Sequence, residues 1–138
     1  MLVYCTGKTN SLGCVPSIGT NGNQPSKSAG NFTVTCTNTL NQKFGLLFFG
    51  VQPQNVPFQG GTLCVESPIR RTSVQESGGV SSDECSGTFT FDMNARIRSG
   101  IDALLVPGQF ICAQYYYRDP NDVFTTGLTN AVSFTICP

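Results

Sequence analysis

Residues 31–40, NFTVTCTNTL, alternate with a strict period of two: Phe32, Val34 and Cys36 on one side, Thr33, Thr35 and Thr37 on the other. Only an extended strand with one face on a core sorts side chains that way, because successive Cβ atoms of a strand point to opposite faces. The pattern recurs. In GTLCVES (61–67) Leu63 and Val65 turn inward and Cys64 outward; in 88–93 Phe89, Phe91 and Met93 oppose Thr88, Thr90 and Asp92. In AVSFTIC (131–137) Val132, Phe134 and Ile136 turn inward and Cys137 outward. FGLLFFGV (44–51) is a continuous apolar run of strand length, which predicts a strand covered on both sides. QFICAQYYYRD (109–119) is the longest strand candidate.

Clusters of Gly, Pro, Asn and Ser separate these segments. The first thirty residues, the proline-bearing VQPQNVPFQGG (51–61) and SVQESGGVSSDECSG (73–87) read as loops, and Pro53 and Pro57 have no place in a central strand. Residues 92–105, DMNARIRSGIDALL, have room for a helical turn or two at most, given the Ser-Gly pair. No repeat is visible. The expectation is one all-β domain over residues 1–138: an antiparallel β-sandwich, Ig-like or jelly-roll-like, of about seven or eight strands.

Seven cysteines without a single histidine point to disulfides rather than zinc, and so to an oxidising compartment. Three pairings follow from face and spacing. Cys36 and Cys112 suit a bridge between opposing sheets if both point inward; two buried free thiols are the alternative. Cys64 and Cys85 would staple the loop between them, worth roughly 3 kcal/mol on a chain-entropy reckoning. Cys5 and Cys14 bracket a turn-rich stretch, which leaves Cys137, although it could pair with either of those two if the terminal strands meet. The start, MLVYCTGKTN, has neither a charged leader nor an apolar run long enough for an export signal. The chain is therefore expected to be a mature domain cut from a longer secreted or cell-surface protein. No stretch approaches about 18 apolar residues, so membrane insertion is not expected.

Eight basic and eight acidic residues give zero formal charge, and charged residues are only 12% of the chain. That leaves no field to attract nucleic acid; Arg70, Arg71, Arg96 and Arg98 read as exposed or salt-bridged. Without histidine, Ser-His and Cys-His nucleophile systems and zinc hydrolase sites are excluded, and no phosphate- or dinucleotide-binding glycine motif is present. Cys64, close in sequence to Arg70 and Arg71, reads as a disulfide partner rather than a nucleophile. The remaining catalytic chemistry is a carboxylate pair of the glycosidase kind drawn from Asp83, Glu84, Asp92, Asp102, Asp119 and Asp122. Asn31-Phe32-Thr33 is a glycosylation sequon.

The row Tyr115-Tyr116-Tyr117 is not a single platform, because strand neighbours face opposite ways. Ile111, Ala113, Tyr115 and Tyr117 form one stripe; Phe110, Cys112, Gln114 and Tyr116 form the other. With Cys112 inward, Tyr115 and Tyr117 stand outside, roughly 6.6 Å apart, spaced to stack on successive sugar rings with Arg118, Gln114 and Asn121 as hydrogen-bonding partners. The plainer reading is that tyrosine simply suits strands. Asp119-Pro120-Asn121-Asp122 matches a type I turn. The same Asp119, Asn121 and Asp122 offer oxygen ligands for calcium, although without EF-hand spacing.

Taken together, YC near the start, NSLGC, GLLFFG, PFQGGTLCV, AQYYYRDP and the closing GLTNAVSFTICP resemble a family of modules in secreted and cell-surface proteins of planctomycete-type bacteria. The resemblance spans nearly the whole chain. It implies a secreted module ending near Pro138, often at the C-terminal end of larger proteins, and brings no catalytic or ligand residue with it. Cys36 and Cys112 fall outside that family's usual cysteines, as an extra bridge of this chain would. The first expectation for function is a non-catalytic structural or adhesion module, with a polysaccharide or another surface protein as partner and no required cofactor. The second is a carbohydrate-binding module using Tyr115 and Tyr117; the third is a small carboxylate-based hydrolase.

Overall fold

A computed structural model describes residues 1–138. Its strands are β1 (Leu2–Tyr4), β2 (Ser17–Gly22), β3 (Phe32–Thr39), β4 (Phe44–Gly50), β5 (Pro53–Phe58), β6 (Gly61–Val65), β7 (Arg70–Arg71), β8 (Gln75–Glu76), β9 (Gly87–Asp92), β10 (Phe110–Arg118) and β11 (Thr126–Thr135). One helix, α1 (Met93–Ser99), follows β9; the Asp92 side chain accepts from the Ala95 N–H at its start, and Gly100 closes its end in the left-handed region.

The strands form three layers. A central antiparallel sheet runs β1-β11-β10-β4-β7, with β8 also on the free edge of β4. A second sheet, β2-β3-β9, packs on one face of it; the β5–β6 hairpin covers part of the other. The all-β sandwich expected from the alternation is present, with the sheets left open at their edges. The main core lies between the two sheets and joins Phe32, Val34, Cys36 and Phe89 to Leu47, Phe49, Ile111, Tyr115 and Phe134. A smaller core under the hairpin holds Phe48, Val65, Cys112 and Leu128. Two-sided burial explains why β4 reads as unbroken apolar sequence.

Three stretches read as loops carry strands, one of them the short β8 within residues 73–87, which pairs with β4. Within the first thirty residues, β1 pairs with β11 and β2 with β3, and Ile18 reaches the core. Residues 53–58 make the outer arm of the hairpin, where prolines are tolerated because only one side of the strand is paired. Its turn, Gln59-Gly60, has φ of 48° and 78°, the two-residue geometry that twists with its flanking strands.

The tyrosine stripe faces the opposite way from the sequence expectation. Tyr115 and Tyr117 are fully buried between the sheets, not exposed. Tyr115 stacks on Phe89 at 5.5 Å and donates its hydroxyl proton to the Val34 carbonyl at 2.6 Å. Tyr117 lies opposite Gly45 on one neighbouring strand and Gly127 on the other, and a methyl group at either glycine would collide with it. The expectation failed because it assigned Cys112 to the main core. Both faces of β10 are covered, so burial of Cys112 on the hairpin side is compatible with tyrosines on the sheet side.

The same geometry overturns all three expected cysteine pairings. Cys36 and Cys112 are free and lie on opposite sides of the central sheet. The bridges are Cys5–Cys64, joining the end of β1 to the hairpin, and Cys14–Cys85, joining the N-terminal loop to the loop before β9. They span 59 and 71 residues, worth roughly 4 kcal/mol each on a chain-entropy reckoning. Cys137, half-buried, is the third free thiol.

Removing each tyrosine hydroxyl separates the two roles. Tyr115→Phe should lower stability by about 1 kcal/mol, leaving the Val34 carbonyl without its donor. Tyr117→Phe should be neutral or slightly stabilising, since that hydroxyl closes no hydrogen bond. Urea unfolding of both variants checks the difference; equal losses would contradict it.

Candidate functional site

The hairpin does not cover the whole outer face of the central sheet. Beside it a groove of about 580 Å³ remains open. Its floor is built by alternation: Phe44, Leu46 and Phe48 project from β4, and Tyr116 and Arg118 from β10. Phe58 and Leu63 of the hairpin wall one side, and the segment carrying Ser67, Ile69, Arg71 and Val74 walls the other. That segment is held to β4 by the Phe48–Arg71 pairing and by Thr72, whose N–H and hydroxyl both donate to the Leu47 carbonyl.

The rim is strongly apolar. Phe44 is 60% exposed, Val74 62% and Phe58 36%. An exposed cluster of large apolar side chains around a concave site is the ordinary mark of a binding surface. Arg71 and Arg118 are the only charged residues among its lining. Neither takes part in the molecule's two ion pairs, Lys8–Asp122 and Arg70–Asp102.

The residues proposed from sequence for ligand binding are dispersed. Arg118 lines the groove. Gln114 is buried beneath the hairpin, where it accepts from the Cys64 N–H and donates to the Thr62 and Thr129 carbonyls. Asn121 lines a separate cleft of about 140 Å³ with Ser11, Lys43, Asp83 and Asp119. Tyr117 borders the groove, but at zero exposure neither it nor Tyr115 offers a ring to a ligand. The aromatic residues that do, Tyr116, Phe44 and Phe58, were missed. Tyr116 shares parity with Arg118, so the signal was present once the sidedness of β10 is known.

The Asp119–Asp122 turn forms as expected, closed by the Asp122 N–H donating to the Asp119 carbonyl at 3.0 Å. Its carboxylates work apart. Buried Asp119 accepts from the N–H and hydroxyl of Ser11. Asp122 takes a proton donor from Lys8 at 2.6 Å, and the same ammonium donates to the Gln59 and Thr126 carbonyls. A cation of the protein's own is thus paired with Asp122, and no three acidic, Cys or His side chains converge in the molecule. Of the other carboxylates considered for catalysis, Asp92 caps α1 and Asp102 pairs with Arg70. None lines the groove. Burial pushes the Cys36 thiol up to about 12 and raises that of Cys112, which removes both as ready thiolates.

Compared with known protein families, curated proteins and solved structures, the chain matches none. No helix is long and apolar enough to cross a membrane.

The Lys8–Asp122 pair predicts a pH signature. The hydrogen bond from Lys8 holds the Asp122 carboxyl below its usual range, so its contribution is full above the unfolded carboxylate range and is lost as pH falls through the depressed folded value. The melting-temperature gap between wild type and Asp122→Asn should be steady from about pH 7 to pH 5 and shrink below about pH 4. A gap that widens on acidification would contradict the assignment.

Proposed function

We propose that this chain is a non-catalytic, disulfide-braced module of the extracellular space, serving attachment or display, and that it binds its partner in the groove on the outer face of the central sheet. The groove carries the reading: a concave, apolar-rimmed surface on a rigid sheet, flanked by two unpaired arginines. Its position also supports it. The Cys5–Cys64 bridge fastens the hairpin that forms one wall, so an oxidising compartment would keep the site in shape. The use of four of the six candidate carboxylates, Asp92, Asp102, Asp119 and Asp122, in structural contacts and the high pKa of the buried thiols favour binding over turnover. The resemblance to secreted planctomycete-type modules is consistent with this reading.

A carbohydrate-binding reading would have to use Tyr116, Phe44 and Phe58 in place of the buried pair. The branched aliphatic side chains Leu46, Leu63, Ile69 and Leu128 among the lining give sugar hydroxyls few partners, which favours a protein partner.

The test is retention of the labelled protein on immobilised polysaccharides and purified cell-surface proteins, with a Phe44→Ser/Val74→Ser variant as control. Saturable binding to one of them, weakened at least about tenfold in a variant that melts as wild type does, is expected. Equal retention of the variant, or turnover of chromogenic glycosides, would contradict the proposal.

A further inference from the structure

Resting on the reading of the groove as the binding site, we propose that its occupant is an extended peptide segment of a partner protein with an acidic–x–apolar–x–acidic pattern. Arg71 sits opposite Phe48 across the sheet edge, and Arg118 lies one residue beyond the Tyr117–Gly45 pair, beside Phe44. The two cations therefore mark positions four residues apart along β4, roughly 13 Å at the rise of a strand, and flank it from opposite edges, so that the line between them crosses β4 obliquely. An extended peptide laid along the groove rises by the same step and turns every second side chain toward the floor. Acids at its first and fifth positions reach the two arginines, and the third position falls over Leu46, Phe48 and Tyr116.

Charge and lining select this occupant. Both arginines are exposed and free of carboxylate partners, and Glu76, across from Phe44, stands outside the lining. A single-headed amphiphile would satisfy only one end of the groove. An acidic sugar chain could span both ends, but its ring hydroxyls would lose water against Leu46, Leu63, Ile69 and Leu128 without replacement bonds. A peptide places apolar side chains there and keeps its polar atoms toward solvent. Arginine suits the ends because its planar fork grips a carboxylate with paired hydrogen bonds.

Fluorescence anisotropy of the full chain with a labelled eleven-residue peptide containing an Asp-Thr-Phe-Thr-Asp core tests this directly. The expected result is saturable binding that weakens about tenfold for each of Arg71→Gln and Arg118→Gln, for the Asp→Asn peptide, and with added salt. Both arginines are exposed, so these variants should keep the wild-type melting temperature. No saturable binding, or binding indifferent to both substitutions, would overturn the proposal. Oligogalacturonate binding in place of the peptide, with the same arginine dependence, would overturn the peptide class but leave the groove as the site. Retention on the partner panel that survives the Phe44→Ser/Val74→Ser change would overturn the groove itself.

Discussion

From Ile111 to Tyr115 strand β10 has no solvent face, and much of the molecule is arranged to make that tenable. On one side Tyr115 and Tyr117 fill the space between the two sheets; on the other Cys112 and Gln114 lie beneath the hairpin. A polar side chain as large as Gln114 is tolerated at zero exposure only because its amide is matched to backbone groups of the hairpin and β11. That residue, together with the Cys5–Cys64 bridge, therefore fastens the third layer to the rest of the molecule. Where the hairpin stops, the same outer face continues as Tyr116 and Arg118, and the groove is the uncovered remainder of a surface the fold otherwise seals.

The first fourteen residues contribute little to the core and much to fixing the loops. Cys5 and Cys14 each reach across the molecule, Lys8 gathers Gln59, Thr126 and Asp122, and Ser11 holds Asp119. These contacts tie the hairpin, the loop before β9 and the 119–122 turn to the N-terminal segment. The Asp-Pro-Asn-Asp turn is thus an anchor: Asp122 is paired with Lys8, and Asp119 accepts from Ser11. A neutral chain with few charges can place its ion pairs this way without leaving a strong surface field, and the only charged residues lining the groove, Arg71 and Arg118, are both cations.

The strand pattern was legible in the sequence because burial on one face leaves a period of two, as in Phe32, Val34 and Cys36. The two-sided burial of β4 was legible from its unbroken apolar run. Beyond that, period alone says which residues share a face but not which face meets which layer. For β10 both stripes contain residues able to be buried, Ile111 and Tyr115 on one and Cys112 and Phe110 on the other, so the choice of inside was undetermined. One wrong assignment there exposed the tyrosines and suggested the Cys36–Cys112 bridge. The hairpin was hidden for a different reason: Pro53 and Pro57 disguise an edge strand as a loop, and with it went the wall that defines the groove.

The groove and the burial of both faces of β10 at Cys112 depend on the hairpin lying across the face of the central sheet opposite to the second sheet. Non-reducing peptide mapping of the native protein, after alkylation of accessible thiols and a second label on unfolding, tests that placement most directly. It should recover Cys5–Cys64 and Cys14–Cys85, with Cys137 taking the first label and Cys36 and Cys112 only the second. A Cys36–Cys112 bridge would put both thiols in one layer and contradict the three-layer arrangement.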